Sequence, residues 1–102
     1  MGAALKKEDV IKILEKNSDK IRSFHVHSLY LFGSVVRAEA TEASDIDLLV
    51  EFEPDAHIGL FEFARLQRML SDMLGCKIDL ATKDSLHKSM KSRILGEAVH
   101  AV

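Results

Sequence analysis

Residues 29–52, LYLFGSVVRAEATEASDIDLLVEF, decide how the rest of the chain is read. Two apolar runs, at 29–32 and 46–50, have strand length and composition, and they bracket a Gly-Ser pair and an Asp-x-Asp pair. Successive side chains of a strand leave opposite faces, so Asp45 and Asp47 project from one face and Ile46, Leu48 and Val50 from the other. The apolar row packs into a core and anchors the acids on a rigid element. Two like charges on one face either raise one pKa or recruit a cation. A hard divalent ion with oxygen ligands, magnesium first among them, relieves the repulsion directly.

Upstream, Gly33 and Ser34 follow the first strand and open a short segment at 34–39 that starts a helix with Ser34 as its cap. Glycine allows close backbone approach, and a helix N-terminus offers unpaired N–H groups to phosphate oxygens. A Gly-Ser pair alone is a weak sign. It is strengthened by the ten residues between Ser34 and Asp45, enough for a helical turn and a loop that return the chain as a neighbouring strand. A phosphate-binding turn and metal-binding acids then face one cleft. Arg37 reads either as a cation near the phosphate-binding turn or as a surface residue pairing with Glu39 or Glu42.

Taken together, these residues resemble the nucleotidyltransferase superfamily of the DNA polymerase beta type. More narrowly they resemble the minimal nucleotidyltransferases (MNT) that are paired with HEPN-domain toxins in prokaryotes. The segments LFEFARLQRMLSDMLGCKIDLAT and SRILGEAV are similar to the same family, so the resemblance covers nearly the whole chain. One departure is Ala38, where the family often has a glycine after the arginine.

The resemblance implies an α/β (α+β) fold, a short mixed β-sheet carrying the acidic residues with helices packed against it. It implies that Asp79 is a third carboxylate on a neighbouring strand, and that Asp45, Asp47 and Asp79 are catalytic and ligate two Mg2+ ions. Gly33 and Ser34 would hold the β and γ phosphates of ATP, with Arg37 beside them. The implied activity is transfer of AMP from ATP to a hydroxyl acceptor, a tyrosine of a partner HEPN toxin. The chain would then be the antitoxin of a type VII-like HEPN/MNT toxin-antitoxin pair. Two alternatives remain: a non-catalytic antitoxin that masks its partner by binding, and a free-standing enzyme that nucleotidylates a small molecule.

Composition narrows the classes further. A chain of 102 residues is read as one domain, 1–102, with a single core. Its formal net charge of −2 leaves no general footprint for nucleic acid, which argues against a template-binding polymerase. The lone Cys76 has no partner for an internal disulfide, and no stretch has the length or flanks of a transmembrane or signal segment. A cytoplasmic protein with no membrane association is expected.

Working outward, residues 6–16 carry Val10, Ile11 and Leu14 at helical spacing, and residues 17–19 either break that helix or bend it before Ile21 and Phe24. His25 and His27, at the entrance to the first strand, read as solvated loop histidines. Residues 53–57, with the only proline, form a loop. A helix is expected over 59–74, with Leu60, Phe63, Leu66, Leu70 and Leu74 as its core stripe, Arg65 and Arg68 on its solvated or partner-facing side, and Gly75 as its stop. A strand over 76–81 would turn Ile78 and Leu80 inward and Asp79 with Lys77 toward the cleft. Residues 85–99 complete the pattern as a helix, with Lys83, Lys88, Lys91 and Arg93 as a solvated basic face.

Overall fold

A computed structural model describes residues 6–33, 36, 45–85 and 88–102. Helices α1 (Lys7–Lys16) and α2 (Ser18–Arg22) lead into strand β1 (Val26–Phe32), followed by β2 (Ile46–Phe52), α3 (Leu60–Leu74), β3 (Ile78–Thr82), α4 (Lys88–Glu97) and β4 (Val99–His100). The four strands form one mixed sheet in the order β3-β2-β1-β4. β1 is antiparallel to both β2 and β4, while β2 and β3 are parallel, with α3 making the connection that parallel neighbours require. This is the mixed sheet with helices read from the sequence.

Strand alternation sorts the side chains cleanly. Leu29 and Leu31 of β1, Ile46, Leu48 and Val50 of β2, and Ile78 and Leu80 of β3 face one way. There they meet Val10 and Leu14 of α1, Ile21 of α2, and Leu66, Leu70 and Leu74 of α3 in one buried cluster. Every polar residue that the sequence nominated on β2 and β3 therefore faces away from these helices.

The boundary between α1 and α2 is a real break: the Asn17 side-chain amide donates to the Ile13 carbonyl at 2.8 Å, diverting the chain into a second short helix. At the far end of α3, Gly75 adopts φ +68° as a left-handed cap, as its place in the sequence requires. Among the described residues, no helix is long and apolar enough to cross a membrane.

Three expectations are corrected. β1 begins at Val26 rather than Leu29, because His25 takes a left-handed turn (φ 65°) and its carbonyl accepts from the Glu53 N–H at 2.8 Å, extending the pairing with β2. His27 is thus a strand residue, exposed, with Nδ1 3.5 Å from the Glu53 carboxylate. The last helix stops at Glu97, and Val99 becomes part of β4, because Tyr30 and Leu31 of β1 offer an open ladder edge that captures it. Leu60 is 82% exposed although it shares the helical period of the core leucines. Burial on α3 is complete only from Leu66, since the period identifies a face but not how far along it the sheet extends.

The two kinds of leucine on α3 separate in a stability measurement. Leu70→Ala, at a fully buried position, is expected to cost about 2–5 kcal/mol in denaturant unfolding. Leu60→Ala should stay within about 0.5 kcal/mol.

Candidate active site

The chemistry converges at one end of the sheet. β1 ends at Phe32, whose backbone partner on β2 is Asp47, and Asp47 is in turn the register partner of Asp79 on β3. Parallel neighbours in register share a face, so the two carboxylates leave adjacent strands on the same side, strands about 4.8 Å apart. Asp47 is half-buried and Asp79 exposed. Asp45 lies two residues before Asp47, just ahead of β2, and is half-buried.

Gly33 fixes the corner. It is buried, with φ +80°, a conformation that L side chains rarely adopt. A Cβ there would stand 3.0 Å from Cγ and 3.2 Å from Cβ of Asp47, and would collide with its Oδ2. The backbone leaving β1 is therefore pressed against the Asp47 carboxylate, and only glycine permits it. Ser34 and Arg37, the other two residues nominated for phosphate contacts, lie outside the described residues, as do the helix start at 34–39 (Val36 apart) and the following loop.

β3 is held in place from both sides. The Ile46 N–H donates to the Lys77 carbonyl at 3.0 Å, setting the register with β2. From α3, the Gln67 side-chain amide donates to the Ile78 carbonyl at 3.0 Å, and the Ser71 hydroxyl donates to the Cys76 carbonyl at 2.6 Å. These two contacts flank the turn that delivers Asp79. Farther along the same face, Glu51 and Lys83 form an exposed ion pair at 3.6 Å.

Cys76 is half-buried and its thiol is held above its ordinary pKa, first by burial and second by the negative charge of Asp45. The thiol is thus kept protonated and is no nucleophile at neutral pH. Among the described residues, no three His, Cys, Asp or Glu side chains gather closely enough to form a ready-made metal cage. The donors present are carboxylate oxygens on neighbouring strands. Such a set suits a small hard cation that takes one or two carboxylates and completes its shell with phosphate oxygens and water.

The family model of the nucleotidyltransferase domain matches residues 9–100 of this chain, spanning the glycine corner and all three aspartates. The chain belongs to the nucleotidyltransferase domain family. This nucleotidyltransferase is 37% identical over 99 residues to the protein adenylyltransferase MntA of Thermococcus cleftensis, an alignment covering 96% of this chain and 98% of that one. It is 41% identical over 93 residues to a relative in Methanocaldococcus jannaschii, covering 91% and 90%. Among solved structures, a minimal nucleotidyltransferase superimposes with a TM-score of 0.69 at 32% identity, covering 87% of this chain and 93% of that chain. The same fold occurs in the complex of a tri-AMPylated Shewanella oneidensis HEPN toxin with its MNT antitoxin, at a TM-score of 0.64 and 19% identity over 90% and 71% of the two chains.

Sequence reasoning placed Gly33 at the phosphates and missed its contact with Asp47. The signal was present, since a hairpin-like pairing of the two apolar runs sets the end of the first against the start of the second. The neighbourhood of Asp45 and Cys76 carried no such signal, because their approach depends on where α3 returns the chain.

Gly33→Ala should lower thermal stability by more than about 1 kcal/mol, the combined effect of positive φ and a collision at Asp47. Because the folded chain holds the Cys76 proton more tightly than the unfolded chain, this group's contribution to stability is complete below the unfolded thiol pKa and is lost as pH rises through the folded value. Iodoacetamide at pH 8 should accordingly label native Cys76 more slowly than the unfolded chain. Asp45→Asn should speed labelling of the native protein modestly, since burial is the larger cause.

Proposed function

We propose that this nucleotidyltransferase transfers AMP from ATP to a tyrosine hydroxyl of a HEPN-type toxin and thereby acts as that toxin's antitoxin. The observation that carries the reading is the alignment of Asp47 with Asp79 on adjacent strands, with the Gly33 backbone pressed against Asp47. The near full-length match to a protein adenylyltransferase supports the choice of AMP and of a protein acceptor.

In the proposed reaction the acceptor oxygen attacks the α-phosphorus of ATP, the bond from that phosphorus to the bridging oxygen breaks, and pyrophosphate departs. The acceptor loses one proton. Asp45, Asp47 and Asp79 would hold two Mg2+ ions, whose contribution is to acidify the acceptor hydroxyl and neutralise charge on the phosphates. Asp47, half-buried and braced by Gly33, is the fixed ligand at the centre. Asp79, exposed on the outer strand, would hold the second ion or take the acceptor's proton. Gly33 and Ser34 receive the β and γ phosphates, and Arg37 offsets charge on the leaving group. A large, partner-borne acceptor suits the placement of these acids on an outward sheet face.

Intact-mass spectrometry of the protein mixed with a HEPN-type partner, ATP and magnesium should show the partner gaining whole AMP units. The Asp45→Asn, Asp47→Asn variant should slow that gain by at least about a hundredfold, and EDTA should stop it. A stable complex that never gains AMP would refute the transfer and favour masking by binding.

A further inference from the structure

The layer of helices carries a recess of its own. A groove of about 590 Å³ runs between α2 and α3, on the side of the sheet that faces away from Asp47 and Asp79. Its floor is apolar: Phe24, Met69 and Met73 are half-buried and packed against the core cluster, which holds them in place. Its rim is cationic, with Lys20 on α2 and Arg65 and Arg68 on α3, all exposed, against a single carboxylate, Asp72. Among the described residues, none of these three cations forms an ion pair. In a chain of net charge −2 such a concentration runs against the overall sign.

The α3 wall continues beyond the groove toward the start of the helix. Phe61, Arg65, Arg68 and Asp72 follow at steps of four, three and four residues, so they share one stripe about 16 Å long. Phe61 stands at the head of that stripe, 85% exposed. A ring left so far in water gains free energy when a partner covers it.

Apolar floor, cationic rim and exposed aromatic end fit one kind of occupant, a helix with an apolar face and acidic flanks. Laid along the groove, its aliphatic row meets Met69 and Met73, whose flexible side chains adapt to what they touch, and its carboxylates reach Lys20 on one side and Arg65 and Arg68 on the other. Two other occupants fit less well. Two copies of this chain packed antiparallel along the stripe would bring Arg65 of each toward Arg68 of the other, and like charges oppose that contact. A nucleic-acid strand would pair with the cations but set phosphate and sugar against thioethers and one half-buried ring.

We propose that the groove between α2 and α3, with Phe61 at its end, docks an acidic amphipathic helix of a partner protein. A partner seated there leaves Asp47 and Asp79 uncovered, because the carboxylates leave the sheet on its other face. The proposal does not depend on AMP transfer.

The test uses the full chain and a fluorescein-labelled helical peptide with Leu at i, i+3, i+4 and i+7 and Glu on both flanks, beside a counterpart with Lys in place of Glu. Fluorescence anisotropy should show saturable binding of the acidic peptide, weakened by salt, and little binding of the basic one. The double variant Arg65→Glu, Arg68→Glu should weaken binding by at least roughly tenfold. Phe61→Ser should weaken it by roughly fivefold to thirtyfold, as loss of an aromatic anchor does. These positions are exposed, so circular dichroism should find the fold intact. Arg68→Gln should weaken binding while Lys83→Gln, an equal change of charge on the other face, should not.

No binding of the acidic peptide, equal binding of both peptides, or binding that the Arg65, Arg68 and Phe61 variants leave unchanged overturns the proposal. A dimer in sedimentation that Phe61→Ser abolishes would give the stripe to a second copy and overturn it. So would binding of a single-stranded RNA oligonucleotide that the arginine variant abolishes, with the acidic peptide left unbound.

Discussion

Everything at this site depends on one steric constraint, the contact between the Gly33 backbone and the Asp47 carboxylate. It ties the end of β1 to the start of β2 at the point where the sheet turns from core to chemistry. A side chain at position 33 would move either the strand end or the acid. With the corner fixed, the parallel register carries Asp79 alongside Asp47, and α3 holds that register through Gln67 and Ser71. The alignment of the two carboxylates is therefore a by-product of strand pairing, which is why it can be built on so small a core.

The sheet uses its two faces for unlike purposes. One is given wholly to aliphatic packing against α1, α2 and α3. The other carries carboxylates, an ion pair and aromatic rings. Alternation at every second residue makes this separation possible within a single strand: Ile46, Leu48 and Val50 are in the core while Asp47, between Ile46 and Leu48, is not. A substitution on the core face should thus act through stability, as should one at Leu49, which is buried on the other face.

Much of this was legible in the sequence because it rests on short periods. The alternation at 46–50 gave β2 and its acidic face, and the three-and-four spacing along 60–74 gave α3 with Gly75 as its stop. Asp79 was different: a single aspartate in a five-residue strand has no pattern of its own, and only the family resemblance put it beside Asp47. β4 was not legible at all, since its two residues pair with β1 from the far end of the chain and carry no local signal. Leu60 kept the period yet lies in water, because periodicity fixes direction around a helix and not position along it. The contact between the Tyr30 and His100 rings was hidden for a related reason, as the two meet only once β4 has been placed.

The order of the strands sets the two register-paired acids in unequal surroundings. Asp47 sits on β2, hydrogen-bonded to a neighbour along each edge, whereas Asp79 sits on β3, at the border of the sheet. Border strands open locally at lower free energy than interior ones, and amide exchange reports that difference residue by residue. One acid is thus an invariant reference point, while its companion belongs to a segment that can yield by small displacements to an arriving surface. The two carboxylates, one strand apart in register, thus differ in how firmly their backbones are held.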